Sequence, residues 1–293
     1  MCSSDLVLGA MILTGNDQVG GREYTNEENR LLVKGQAIYR ELCFACHGYD
    51  GKGMAVDGPK PGMTIAPPLS KAATVYGHRD GIVRVLLNGM SGPIGGKTYD
   101  AQMLPMAMND DEWIAAVASY VRNSFGNKGA LIEAKDVARI RAEVKGVTAP
   151  WTQETLQAAL PPVIKATKEW KATASDQADL AQNGCDAEGK TRWETKADQK
   201  KGMWYQVELP AAQVVAGVRL DASGRPSAFP KNFKVEGSLD GKKWFALGAS
   251  HGLYALSEAY FGAKSAKFVK VTLTDATKNQ PWAIQELQLI SQK

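Results

Sequence analysis

Five consecutive residues, Cys43-Phe44-Ala45-Cys46-His47, place two thiols and an imidazole at a spacing with a specific chemical use. C-x-x-C-H is the attachment site of c-type haem. The thiols add across the two vinyl groups of the porphyrin, and the adjoining imidazole is carried beneath the iron as an axial ligand. The spacing matters because both sulfurs must reach the porphyrin edge while His47 stays under the ring. A redox C-x-x-C has no need of the histidine and sits in a βαβ context, which the surrounding sequence lacks. A structural zinc site needs two further clustered ligands, whereas Cys2, Cys185, His78 and His251 are single and scattered. The motif implies an electron carrier.

The 293 residues suffice for two domains, each with its own core. The net charge of +4 is mild and lysines and arginines are interspersed with acidic residues, with no basic block, so no nucleic-acid partner is expected. No apolar run reaches the roughly 18 residues of a membrane span. Four cysteines do not make a disulfide framework in a chain this long, so Cys2 and Cys185 are expected as free thiols. Met1 to Thr14 lacks the basic leading region and cleavage site of a signal peptide. Because c-type haem is attached outside the cytoplasmic membrane, a periplasmic or extracellular location is expected. Residues 1–24 then read as a stub, with Leu6 to Leu13 the end of a helix from missing upstream structure in a processed or longer polypeptide.

The elements around the motif follow from periodicity. Glu27 to Leu42 has the spacing of an amphipathic helix with Leu31, Ile38 and Leu42 on one face. A second helix is expected from about Asp110 to Ser124, capped by Asn109, with Asp110, Asp111 and Glu112 in its first turn. Ile114, Val117, Ala118 and Val121 form its buried face, and Gly126 stops it.

This region, residues 25–130, resembles the one-haem cytochrome c family. The matching pieces are Gly35-x-x-Ile38-Tyr39-x-x-x-Cys43-x-x-Cys46-His47-Gly48, Asp50-Gly51-Lys52-Gly53, Ala66-Pro67-Pro68-Leu69 and Met103-Leu104-Pro105-Met106, leading into Trp113 to Asn123. The resemblance implies an all-α domain whose first and last helices cross closely at Gly35 and Tyr120. It implies that the proline segment, through Pro67, supplies a carbonyl to His47, which fixes the ring. It also implies a methionine as the second iron ligand, which favours reduced iron and raises the potential. Met103, Met106 and Met108 compete for that place. Met103 lies where the family's ligand falls, counting back from the helix, and Met106 is its main competitor. His78 reads as a surface residue, and Met54 and Met90 as packing around the haem edge.

Residues 131–165 read as an ordered helical linker, with short helices over Ala134 to Lys145 and Trp151 to Leu160, punctuated by Pro150, Pro161 and Pro162. A fragment ending near Asn127 is therefore expected to fold and hold haem alone. From residue 166 the pattern switches to period two: Tyr205, Val207 and Leu209, then Phe233, Val235 and Leu239, then Val269, Val271 and Leu273 alternate with polar neighbours. Short strands with turns such as Asp240-Gly241 indicate an antiparallel sandwich.

Residues 166–293 resemble the discoidin (coagulation-factor type C, galactose-binding-like) family. Asp186-x-x-x-x-Thr191-Arg192-Trp193, Trp204 to Leu209, Val215 to Leu220, Phe233 to Trp244, Ala266 to Leu273 and Ile284-Gln285-Glu286-Leu287 carry the resemblance. It implies an all-β jelly roll that binds carbohydrate, lipid head groups or protein through loops at one end. It also implies a structural calcium, for which Asp186, Glu188, Thr191 and Glu286 supply side-chain oxygens toward the six to eight required. Trp193, Phe229, Trp244, His251, Tyr254 and Trp282 are candidates for a stacking platform or for core packing.

The chain is thus expected to be multidomain, an all-α cytochrome c domain plus an all-β jelly-roll sandwich. Its expected function is electron transfer, with a dehydrogenase as redox partner and the sandwich docking it to a partner or glycan. Cytochrome modules of this kind are often appended to periplasmic dehydrogenases, so the chain could be the C-terminal part of a larger oxidoreductase. The alternative is a carbohydrate-binding protein with an accessory haem domain. No hydrolase pair, nucleophile triad, phosphate loop or nucleotide fingerprint is present, so catalysis by this chain alone is not expected.

Overall fold

The computed structural model describes residues 24–56, 62–70, 72–99, 101–252 and 255–292. They divide into two compact units, the boundary falling between Leu160 and Pro161. Cys2, the apolar stretch Leu6 to Leu13 and Tyr254 lie outside the described residues.

The first unit is helical. A reciprocal capping box opens α1 (Asn26–Ile38): Thr25 Oγ1 accepts from the Glu28 amide at 3.2 Å, and the Glu28 carboxylate accepts from the Thr25 amide at 2.8 Å. The helix continues through one π-helical turn (Tyr39–Cys43) into α2 (Phe44–His47). Such a widened turn rotates every residue that follows it relative to the α-helical register. The buried face of α1 is accordingly Leu32, Gly35 and Ile38. Leu42, expected on the same face, is instead 47% exposed.

Three further helices complete the frame: α3 (Ala73–Tyr76), α4 (Arg79–Asn88) and α5 (Asp111–Arg122). The cap of α5 is Asp110, whose side chain accepts from the Trp113 amide at 2.7 Å. Asn109, expected in that role, donates its side-chain amide to the Met106 carbonyl instead. A Cβ at Gly35 would lie 2.6 Å from Tyr120 Cβ and closer still to the Ala116 carbonyl oxygen. Only glycine lets α1 and α5 cross this closely. Gly35→Ala should therefore cost about 3 kcal/mol or more by overpacking, read as a lower denaturation midpoint. An unchanged midpoint would refute the close crossing.

Residues 131–160, read from sequence as part of a connector, contribute α6 (Ala134–Glu143) and α7 (Gln153–Ala159) to this unit. Ile132, Val137, Ile140, Trp151 and Leu156 are buried in the same core as Ile114, Val117 and Leu87. Two-pronged ion pairs bind α6 to α4: Arg79 to Asp136 at 3.0 and 2.7 Å, and Arg139 to Asp80 at 3.0 and 2.9 Å. Burial alone would raise the Asp80 carboxyl, but the bond from Arg139, with His78 and Arg79 nearby, holds it below the usual carboxylate range.

The second unit is an antiparallel sandwich. Its strands are β1 (Val163–Ile164), β2 (Lys171–Ala174), β3 (Trp193–Glu194), β4 (Trp204–Asp221), β5 (Asn232–Ser238), β6 (Trp244–His251), β7 (Leu256–Leu273), β8 (Ala283–Ile284) and β9 (Glu286–Ile290). The main sheet runs β1-β9-β4-β7-β5-β6, with β2 also on β4, and β3 pairs β8 separately. The long strands β4 and β7 pair along their length with register breaks after Glu208 and Val215, where bulges let one strand bend between layers. Tyr205, Val207, Leu209, Phe233, Val235, Val269, Val271 and Leu273 all point inward and are buried, the consequence of period two. Leu239 does not join them: β5 ends at Ser238 and Leu239 is 56% exposed in the turn. A helical unit followed by an antiparallel β-sandwich is the fold class expected from the sequence.

Candidate haem cavity

The helical unit forms a cavity of about 520 Å³, open on one side to solvent, within the range of sites that take a cofactor-sized ligand. Cys43, Cys46 and His47 line one side, and Pro67, Met103 and Met106 also contribute. The rest of the wall is mainly aliphatic, from residues such as Val75, Ile82, Leu86 and Val121.

His47 is oriented by the loop that follows it. Gly48, at φ 71°, ends α2 and turns the chain back. Its carbonyl accepts from the buried Tyr39 hydroxyl at 2.6 Å. The Gly53 amide returns to the His47 carbonyl, and the Leu69 amide to the Gly51 carbonyl. This folding brings the Pro67 carbonyl to 3.3 Å from His47 Nδ1. A carbonyl can only accept, so Nδ1 carries the proton and Nε2 keeps its lone pair. Burial lowers the imidazole pKa below the ordinary value, against the opposing effect of the Pro67 carbonyl. Burial thus favours the neutral ring, the form that ligates a metal. Burial, and then the neighbouring Cys46, push the Cys43 thiol up to about 11.

Among the methionines, Met103 and Met106 are half-buried and line the cavity, and Met90 lines it from a buried position. Met108 is 94% exposed and does not line it, nor does Met54. His78 is 7% exposed, where its ring accepts from the Asp80 amide and caps α4. It is an internal capping residue, not the surface histidine expected. Two thiols, a neutral oriented imidazole and a thioether around one apolar cavity fit a covalently held haem. Sequence reasoning missed Tyr99 and Gln102 on the cavity wall; both lie in a loop without periodicity, so no local signal marks them.

In the sandwich, Asp186 accepts from Thr191 Oγ1 at 2.9 and 2.8 Å and from the Glu188 amide at 2.8 Å. Burial first, and Asp186 second, raise the Glu286 carboxyl to about 7. Glu188 itself is exposed. Among the described residues no group of three or more His, Cys, Asp or Glu side chains gathers into a metal site, so the calcium expectation finds no support. Of the platform candidates, Trp193 and Trp282 are fully buried and Phe229 is 5% exposed. The two tryptophans meet edge-on with centroids 5.0 Å apart and are core residues. Trp244 is half-buried, with Lys270 Nζ 3.7 Å from its ring centroid. Cys185 is a buried free thiol.

The sequence pattern of the family described as "Cytochrome c" matches residues 32–125, and that of the "F5/8 type C domain" matches residues 164–287. The chain is 35% identical over 134 residues to the fructose dehydrogenase cytochrome subunit of Gluconobacter japonicus, covering 42% of this chain and 26% of that one. It is 34% identical over 98 residues to the cbb3-type cytochrome c oxidase subunit CcoP of Azospirillum brasilense, covering 32% and 29%. The chain thus spans less than a third of the length of these curated relatives. Similar solved structures include chitosan-binding module 1 of a chitosanase/glucanase from Paenibacillus sp. IK-5, at 25% identity over 41% of this chain and 92% of that one, TM-score 0.36. A family 32 carbohydrate-binding module of Clostridium perfringens NanJ, in complex with galactose, matches at 17% identity over 42% and 94%, TM-score 0.38. With the helical unit built around a C-x-x-C-H cavity and the sandwich following it, the chain carries a cytochrome c domain followed by an F5/8 type C, or discoidin, domain.

Proposed function

We propose that the protein is a periplasmic electron carrier holding one haem c, with the discoidin domain docking it to a glycan or protein partner. The observation that carries this reading is the convergence of Cys43, Cys46, His47 and Met103 on one apolar cavity. When bound there, the haem supplies one-electron redox chemistry. Cys43 and Cys46 would hold its edge, and His47, with Nδ1 spent on Pro67, would offer Nε2 to the iron. Met103 would offer its sulfur as the other ligand, favouring the reduced state, while the aliphatic wall excludes water. An electron carrier of this kind takes its electrons from a partner. A dehydrogenase is the donor class favoured by the similarity to a fructose dehydrogenase cytochrome subunit. Among the described residues no helix is long and apolar enough to cross a membrane.

The test begins with protein matured in a host that attaches c-type haem. A pyridine haemochrome should show the c-type band, and colour should stay with the protein after acid-acetone extraction; colour released into solvent refutes the reading. Oxidised protein should show the weak near-infrared band of sulfur-to-iron ligation. Met103→Ala should abolish that band and Met106→Ala should leave it; the reverse result assigns Met106. Haem reduction by a sugar dehydrogenase, set against glycan-array binding, separates the carrier from a carbohydrate-binding protein with an accessory haem domain.

A further inference from the structure

We infer that the chain around Trp151 is a clamp on the methionine loop, which makes Trp151 a positioning residue for the axial sulfur. This role rests on the haem ligation proposed above. Between α4 and α5 the described chain forms no helix or named strand, so something else must hold Met103 in place. The Met90 amide donates to the Met103 carbonyl at 3.1 Å, and the Met103 amide to the Met90 carbonyl at 3.0 Å. On its other side Met90 pairs in parallel with Trp151. The Trp151 amide donates to the Gly89 carbonyl at 3.1 Å, and the Ser91 amide to the Trp151 carbonyl at 2.8 Å. Met90 is therefore the middle of a ladder one residue wide, with Met103 at one edge and Trp151 at the other.

Trp151 is itself anchored. It is 8% exposed, and its indole N–H donates to the Arg84 carbonyl of α4 at 3.0 Å. Next to it, Gln153 accepts from the Gly95 amide, and the Asn88 side chain donates to the Val147 carbonyl. Gly89 completes the arrangement. Its amide caps α4 on Val85, its φ is +78°, and a Cβ there would collide with the Met103 carbonyl oxygen. Two paired hydrogen bonds alone contribute only about 1 kcal/mol each, and an isolated two-stranded pair is marginal in water. A third strand anchored on α4 is what turns that pair into a fixed edge. Trp151 does not line the cavity, so its influence passes through Met90 to Met103 and leaves the Cys43, Cys46 and His47 side untouched.

The test uses the full haem-loaded chain and the variants Trp151→Ala, Trp151→Phe and Gly89→Ala. Trp151→Ala should keep its covalent haem by pyridine haemochrome, yet lose the near-infrared thioether band at lower pH than the parent and show a lower midpoint potential. Amide exchange at Met90 and Met103 should quicken by about tenfold or more, the effect of weakening one or two hydrogen bonds in a local opening. Gly89→Ala, which pushes from the Met103 side, should show the same changes, and Trp151→Phe smaller ones. Parent values of band, potential and exchange in both Trp151→Ala and Gly89→Ala overturn the clamp. If Trp151→Ala does not fold, Gly89→Ala and Trp151→Phe decide by the same readouts. A parent without the band refutes Met103 ligation; the clamp is then decided by amide exchange alone, and unaltered rates overturn it.

Discussion

A chain carrying Cys43→Ala together with Cys46→Ala should hold no covalent haem and should lose the fold of its helical unit, while the sandwich stays folded. Among the described residues the two sulfurs are the only thiols on the cavity wall. The second effect follows from volume. At about 24 cal/mol per Å³, an unfilled apolar cavity of about 520 Å³ corresponds to roughly 12 kcal/mol. The opening of the cavity to solvent makes that an upper bound, but it is as large as the whole stability of an ordinary domain. Far-UV circular dichroism should show helical signal lost with the β signal retained, and thermal unfolding should leave one transition, from the sandwich. A variant that keeps full helicity, or keeps colour after acid-acetone extraction, contradicts the assignment of the cavity to a covalent cofactor. His47→Ala should retain thioether-bound haem but lose the low-spin spectrum of the parent.

A fragment ending after Leu160 should keep the parent's visible spectrum, whereas one ending near Asn127 should not fold. The sequence suggested the shorter fragment as self-sufficient; the packing reverses that expectation. Ile132, Val137 and Ile140 are fully buried, and Val144, Trp151 and Leu156 nearly so, in the core shared with α4 and α5. At about 1.5 to 3 kcal/mol per fully buried large side chain, these six contribute roughly as much as the whole of a typical stability of about 5–15 kcal/mol. Removing α6 also strips Arg139 from Asp80, which is 1% exposed, and so strands a buried charge. Expression of both fragments with haem attachment, followed by urea unfolding monitored at the Soret band, decides the matter. A stable, low-spin fragment ending at Asn127 would show that α6 and α7 are dispensable.

What the sequence alone determined is local. C-x-x-C-H announces its chemistry because thiols and imidazole lie within five residues, where covalent geometry sets their separation. Ile114, Val117 and Val121 announce a buried helical stripe, and Tyr205, Val207 and Leu209 an inward strand face, because backbone period alone decides which neighbours share a face. The tertiary structure decided what is brought together from afar. It placed the Pro67 carbonyl beside His47, turned Met103 and Met106 toward the cavity and Met108 away, and drew residues 131–160 into the helical core. It also sent Trp193 and Trp282 to the interior, where they are unavailable for stacking on a ligand. The wider π-helical turn at Tyr39–Cys43 shows how the two levels meet. Leu42, whose spacing in sequence suited the buried face of α1, lies within that turn and lines the cavity instead. Spacing along the chain fixes relative position only while the helical register holds; beyond a break in register, or across a loop, packing between distant segments sets the distances.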